Sequence, residues 1–256
     1  MSKWNAWLKT RLQTLRERMA SRGYSCEICG AELFSYPTPR ICSSCDDLLL
    51  KNDKNTCPKC GRAVVSQGVC LACKSRLPHF TRAVSVFSYE GLAARTVNGL
   101  KNGKRHLSWY LGEALAKKII DSFSLQALQE NEWLLIPIPL TATRQKERGY
   151  NQAEELALAV RSALQKAGAN VELDTEALIK RRDEHMQKHL SSQERFENAE
   201  GAYHVHKRKL CRGKNILLID DVITTGATGS ACAKLLLGAG ANAVYLCTVA
   251  ATPEKK

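Results

Sequence analysis

From residue 82 onward the chain alternates short apolar runs with amphipathic stretches. RAVSVFSYE (82–90) has the apolar and β-branched content of a strand. Apolar residues then recur three and four apart over 92–100 and again over 107–123, which predicts two helices. Residues 133–138 form a continuous apolar run suited to a buried strand. A polar loop should follow, then a long helix over 152–166 stopped by Gly168. Residues 181–200 are highly charged and weakly periodic, so a loop with some helix is expected there, and AYHV (202–205) reads as a short strand. The last third is clearest. It predicts a buried strand over 216–219, a loop over 220–226, a helix over 227–237 closed by Gly238 and Gly240, and a strand over 243–249. Strand, helix, strand in that order implies an α/β fold with a parallel sheet and helices on its faces.

The first third is different. Trp4, Leu8, Leu12, Leu15 and Met19 share one face of a helix whose other face carries Lys9, Arg11, Arg16 and Arg18. Residues 24–76 lack long periodic segments and are dense in Cys, Gly and Pro, as in a module folded around metal. With a boundary at Leu77-Pro78-His79, the chain divides into a basic amphipathic helix (1–23), a cysteine module (24–77) and an α/β domain (78–256).

The cysteines sharpen that picture. Eight of the 11 form four C-x-x-C pairs: Cys26 and Cys29, Cys42 and Cys45, Cys57 and Cys60, Cys70 and Cys73. Two intervening residues let both sulfurs of a tight turn face one tetrahedral ion, and two such turns close a site with no open position, as in structural zinc sites. Gly30 and Gly61 follow the first and third pairs, so the order C-x-x-C-G, spacer, C-x-x-C occurs twice. That duplication favours one zinc ion per half, while the spacing also permits a cross-braced arrangement. Thiolate ligation suits a reducing compartment. Cys211, Cys232 and Cys247 have no partner at ligand spacing and read as ordinary small residues.

Lys and Arg outnumber Asp and Glu by 38 to 25, a formal charge of +13, which favours an anionic partner. No run of about 18 apolar residues exists, so no transmembrane span is expected. The N-terminus also lacks the apolar core of a secretion signal, so a cytoplasmic protein is expected, with a peripheral position at the inner face of the membrane as a further expectation.

The segment with the clearest chemistry is Ile216-Leu217-Leu218-Ile219-Asp220-Asp221-Val222-Ile223-Thr224-Thr225-Gly226-Ala227-Thr228. A buried strand delivers two adjacent carboxylates to the carboxyl edge of a parallel sheet. A loop of small and hydroxylated residues then enters a helix, where backbone amides and hydroxyls can surround a phosphate. A phosphorylated sugar, with its phosphate at one end and hydroxyls at the other, has the matching form. A second segment, IPIPLTATRQKERGYNQAEELA (136–157), places Arg144, Lys146 and Arg148 on a loop after a strand, where guanidinium forks suit phosphate oxygens.

The 13 residues resemble the phosphoribosyl pyrophosphate (PRPP) signature of type I phosphoribosyltransferases. By that resemblance Asp220 and Asp221 would hold the ribose hydroxyls, and Thr224, Thr225, Gly226, Ala227 and Thr228 the 5′-phosphate. Magnesium would accompany PRPP, and Arg144 and Arg148 would meet its pyrophosphate. Adding the four cysteine pairs, Leu100-Lys101 and the series Arg182, Gln187, Arg195, Asn198 and Gly201-Ala202-Tyr203, the chain resembles the competence protein F family from Cys26 to Thr248. That family joins a double zinc ribbon to a type I phosphoribosyltransferase fold. It implies PRPP binding, two structural zinc ions and a part in the uptake or processing of incoming single-stranded DNA. Two other readings compete: a magnesium-dependent transferase acting on a nitrogen nucleophile, and a non-catalytic adaptor docking on a competence helicase or membrane channel.

Overall fold

The computed structural model describes residues 25–33, 41–49, 51–52, 55–181, 199 and 201–254. The amphipathic helix expected over 1–23 lies outside them, as do Arg182, Gln187, Arg195, Asn198 and nearly all of the charged segment 181–200. The chain forms two compact units, 1–48 and 49–256. In the first, an antiparallel bridge joins Ser25 to Glu32 and a short helix, α1 (Ser43–Asp47), follows Cys42. The second tetrad of cysteines belongs to the larger unit.

That unit begins with a knuckle over 55–64 and helix α2 (Leu71–Ser75). It continues through β1 (Arg82–Ser88), α3 (Gly91–Lys101), α4 (Leu107–Phe123), α5 (Leu125–Glu130), β2 (Trp133–Pro137), α6 (Ala142–Arg148) and α7 (Gln152–Lys166). It ends with β3 (Val171–Leu173), β4 (Leu178–Lys180), β5 (Tyr203–Val205), α8 (Arg208–Cys211), β6 (Asn215–Ile223), α9 (Ala227–Gly238) and β7 (Ala243–Ala251). The main sheet has five strands in the order β1-β7-β6-β2-β3, all parallel; β4 and β5 pair separately and antiparallel.

Side chains of the central strands alternate between two cores. Leu135, Leu217, Ile219 and Val249 pack against Val97 and Leu100 of α3, Leu111, Leu115 and Ile119 of α4, and Leu156, Val160 and Leu164 of α7. Leu134, Ile136, Ile216, Leu218, Val244 and Leu246 meet Cys232, Ala233 and Leu236 of α9, together with Leu178, Tyr203, Val205 and the second cysteine tetrad. Both sheet faces are covered, as the continuous apolar runs require. Each aliphatic side chain withdrawn fully from water contributes roughly 1.5–3 kcal/mol.

The elements follow local chemistry. Helix α7 starts at Asn151, whose side chain accepts from the Ala153 amide; Glu154 and Glu155 occupy its first turn and Lys166 its last. Charges so placed complement the helix dipole. Two expectations need correction. The polar stretch after β2 contains helix α6, because Thr141 caps its start through the Arg144 amide and Gly149 ends it in a left-handed conformation. The loop expected over 220–226 begins only after Ile223, because the ladder with β7 continues through Val222↔Ala250 and Ile223↔Ala251.

Helices α4 and α7 approach closely at Gly112, where a Cβ would lie 2.4 Å from the Ala159 Cβ and 3.2 Å from the Val160 amide nitrogen. Helix propensity alone would make Gly112→Ala stabilising by about 1 kcal/mol. Overpacking against another helix's backbone opposes this, and we expect a net loss of roughly 1–3 kcal/mol. Thermal unfolding of the variant should therefore occur at lower temperature, and an unchanged or raised midpoint would show that the helices separate without cost.

Candidate functional site

Strand order places one crevice apart from all others. The chain steps from β2 outward to β3, and from β6 in the opposite direction to β7, so the connections leaving the carboxyl ends of β2 and β6 diverge. In open parallel sheets ligands bind at such a switch point. Asp220 and Asp221 lie near the carboxyl end of β6. Thr141 and α6 follow the end of β2, held beside β6 by Pro137↔Ile219 and by the Ile138 amide donating to the Ile219 carbonyl at 2.9 Å.

Asp221 is buried and Asp220 half-buried. The Asp221 amide donates to Asp220 Oδ1 at 2.8 Å. Strict alternation fails across the pair, since Ile219 and Val222 pack on one face of the sheet and Ile223 on the other. Lys101, in the last turn of α3, extends Nζ to within 3.2 Å of Asp221 Oδ2. Burial pushes the Asp220 carboxyl up to about 7, and the charge of Asp221 adds to that, against smaller opposing effects from the Asp221 amide, Lys101 and Lys180.

Beyond β6, residues Thr224, Thr225 and Gly226 form the turn into α9. Gly226 caps the helix at φ +82, a conformation favouring glycine, and the Thr225 hydroxyl accepts from the Ala227 amide at 3.3 Å. Gly226 and Ala227 are buried, Thr225 and Thr228 half-buried and Thr224 exposed. The structure thus brings Asp220, Asp221, Thr224, Thr225, Gly226, Ala227 and Thr228 into one continuous strand, turn and helix start. Arg144, Lys146 and Arg148 lie on α6; Arg148 donates to Gln152 Oε1 at 3.0 Å. The Leu100-Lys101 segment is secured by Tyr150, whose hydroxyl donates to the Leu100 carbonyl and accepts from the Gly103 amide. Lys180 stands over the Tyr203 ring at 4.9 Å.

The cysteines gather in two groups. Sulfurs of Cys26, Cys29, Cys42 and Cys45 lie within 4.8 Å of one another, as do those of Cys57, Cys60, Cys70 and Cys73. Either tetrad can hold a metal ion. Burial pushes the Cys26 thiol up, but amides of Cys42, Cys29 and Ile28 outweigh this and bring it down to about 6. A hydrogen bond with Cys73 is the main influence drawing Cys60 down to about 5, helped by Arg62. Arg62, which sequence reasoning missed, donates through Nε to Cys60 Sγ at 3.2 Å and through Nη2 to the Thr224 carbonyl. No spacing rule points to it, since Arg62 and Thr224 lie 162 residues apart. Cys211, Cys232 and Cys247 are buried, and none belongs to either tetrad.

A model of the phosphoribosyl transferase domain family matches residues 112–256. Competence protein ComFC of Streptococcus pneumoniae is 31% identical over 208 residues, covering 80% of this chain and 84% of the relative. The chain therefore belongs to the phosphoribosyl transferase domain family, in its competence protein F group. ComFC of Bacillus subtilis, 28% identical over 219 residues, covers 80% of each chain. The DNA utilization protein YhgH of Escherichia coli K12 is 29% identical over 208 residues, 80% of this chain and 88% of that one. The family's fold is the type I phosphoribosyltransferase fold, here preceded by two cysteine tetrads compatible with zinc ribbons. Among the described residues, no helix is long and apolar enough to cross a membrane.

Asp220 also sets a pH-dependent stability. Its folded value near 7 exceeds the ordinary 3.8, so its stabilising contribution is complete below about pH 4 and is lost as pH rises through 7. Asp220→Asn removes the ionisation while keeping an oxygen for the Asp221 amide. Without ligand, the variant should melt at about the same temperature as the unmodified protein at pH 4 and at a higher temperature at pH 8. Melting curves at both pH values test this, and equal midpoints at pH 8 would contradict the assigned environment.

Proposed function

We propose that the chain binds PRPP with magnesium in the crevice between the ends of β6 and β2, and serves in competence or DNA utilization. The observation carrying the proposal is the pair Asp220 and Asp221 running directly into the turn 224–226 at the sheet's switch point. The carboxylates suit the ribose 2′ and 3′ hydroxyls as acceptors. Thr224, Thr225, Gly226, Ala227 and Thr228 suit the 5′-phosphate through amides and hydroxyls at a helix start. Arg144 and Arg148, on the segment that leaves β2, suit the pyrophosphate as paired donors. Lys101 offsets the negative charge of Asp221 before ligand arrives. Magnesium, when bound with PRPP, would offset pyrophosphate charge; two adjacent carboxylates, one held back from ionising, fit a site that gains from a nearby cation.

The thiolate tetrads suit two structural zinc ions, since four soft donors around one ion leave no position for substrate. Keeping them reduced suits a cytoplasmic location. A role with DNA is supported by the names of the relatives and by the net charge of +13. Single-stranded DNA suits that charge as a partner.

Thermal unfolding with and without magnesium and PRPP tests the site. At about 100 times its dissociation constant a ligand stabilises by roughly 2.7 kcal/mol. For a domain of this size that is a rise on the order of 5–10 °C. The rise should vanish in Asp220→Asn/Asp221→Asn; its absence from the unmodified protein would reject the assignment. Binding to a labelled single-stranded oligonucleotide should weaken linearly in log affinity against log salt. No detectable binding at low salt would exclude direct DNA contact.

A further inference from the structure

The second cysteine tetrad and the turn 224–226 share a residue. Arg62 is buried, 9% exposed, and its planar guanidinium serves two acceptors: Cys60 Sγ through Nε and the Thr224 carbonyl through Nη2. Its own carbonyl accepts from the Cys57 amide at 2.9 Å, so the same residue closes the knuckle. Neighbouring contacts bind the two parts further. Lys59 Nζ donates to the Phe80 carbonyl, and the Phe80 ring, fully buried, lies against Gly226. The Glu254 amide donates to the Ala63 carbonyl, while the Thr252 amide donates to that of Ile223.

Two physical consequences follow from this placement. In a trans peptide the carbonyl of one residue and the amide of the next point in opposite directions. Drawing the Thr224 carbonyl toward Arg62 therefore turns the Thr225 amide away from it, where it can donate to an anion. Four thiolates around a divalent ion carry a net charge near −2, and that charge is what makes a buried guanidinium at Cys60 favourable. Loss of the ion would release the four sulfurs from their common centre and with them the fixed acceptor, Cys60 Sγ, that keeps Arg62 in place.

We infer that Arg62 is a positioning residue for the phosphate-binding turn and couples metal occupancy of Cys57, Cys60, Cys70 and Cys73 to the affinity for PRPP. This rests on the PRPP reading proposed above. The coupling is reciprocal, as linkage requires: zinc in the second tetrad raises PRPP affinity, and PRPP raises zinc affinity by the same factor. A fork is needed because a lysine ammonium keeps the charge but cannot hold both acceptors in one plane.

Equilibrium competition with a zinc-selective chelator, in the full chain carrying Cys26→Ser/Cys29→Ser so that only the second tetrad holds metal, measures zinc affinity with and without magnesium–PRPP. Calorimetric titration of zinc-loaded full chain measures PRPP affinity in the unmodified protein, Arg62→Gln and Arg62→Lys. We expect PRPP to tighten zinc about 10-fold, and both Arg62 variants to bind PRPP about 10-fold more weakly, within the usual range of coupling between sites. If the unmodified chain binds PRPP yet zinc affinity is unmoved by it, or Arg62→Lys binds as tightly as the unmodified chain, the inference is overturned while the PRPP reading stands. If the unmodified chain binds no PRPP, that reading fails and the coupling with it. The zinc competition uses native Arg62, so it decides the matter even where an Arg62 variant folds poorly.

Discussion

Two carboxylates on consecutive residues of a covered strand repel one another and lose hydration together, so the rest of the site is arranged around making that pair tolerable. Lys101 reaches Asp221 from the end of α3, and the Asp221 amide caps Asp220. Burial and the neighbouring Asp221 charge nonetheless push the Asp220 carboxyl up to about 7. A partly compensated arrangement of this kind costs stability in the free protein, and sites bearing such a cost are typically those that a ligand or cation relieves. The break in side-chain alternation across the pair has the same logic, because a regular pleat would send adjacent carboxylates to opposite faces of the sheet.

The parallel sheet determines where this chemistry is displayed. Buried aliphatic residues on both faces of β2 and β6 leave their carboxyl ends as the place where the connections turn apart. Those connections carry the small, hydroxylated and basic residues. Capping decides the details: Thr141 and Gly149 confine α6 to seven residues, and Gly226 lets β6 reach α9 through a three-residue turn. The Leu100-Lys101 segment owes its position to Tyr150, which grips the backbone on both sides of Lys101.

The cysteine tetrads differ in their settings. The first has Cys29 exposed and lies in the smaller unit. The second is buried and contributes to one of the two cores of the sheet. Gly61 shows how tightly it is applied, since a Cβ there would sit 2.7 Å from the Ala83 carbonyl oxygen, in addition to requiring φ +68. Metal binding at this tetrad therefore bears on the order of the larger unit as well as on its own knuckle.

Much of this was legible in the chain. Long apolar periods determined β1, β2, β6, β7 and the helices α3, α4, α7 and α9, because covered elements leave a strong pattern. The C-x-x-C spacing identified the thiol groups, and DD followed by TTGAT identified the loop, because these residues act through neighbours in sequence. Less was visible where the signal was short or shared. The three-residue strands β3 and β4 carry too few positions for a period, and α6 is masked by its polar composition. Sequence by itself determined which residues would stand on one strand and turn, and which cysteines could pair within each C-x-x-C. Tertiary structure alone decided that β6 and β2 would lie side by side, that Lys101 would meet Asp221, and that Arg62 would join Cys60 to Thr224. Those contacts depend on strand order and helix packing, which bring together residues whose separation along the chain carries no trace of their meeting.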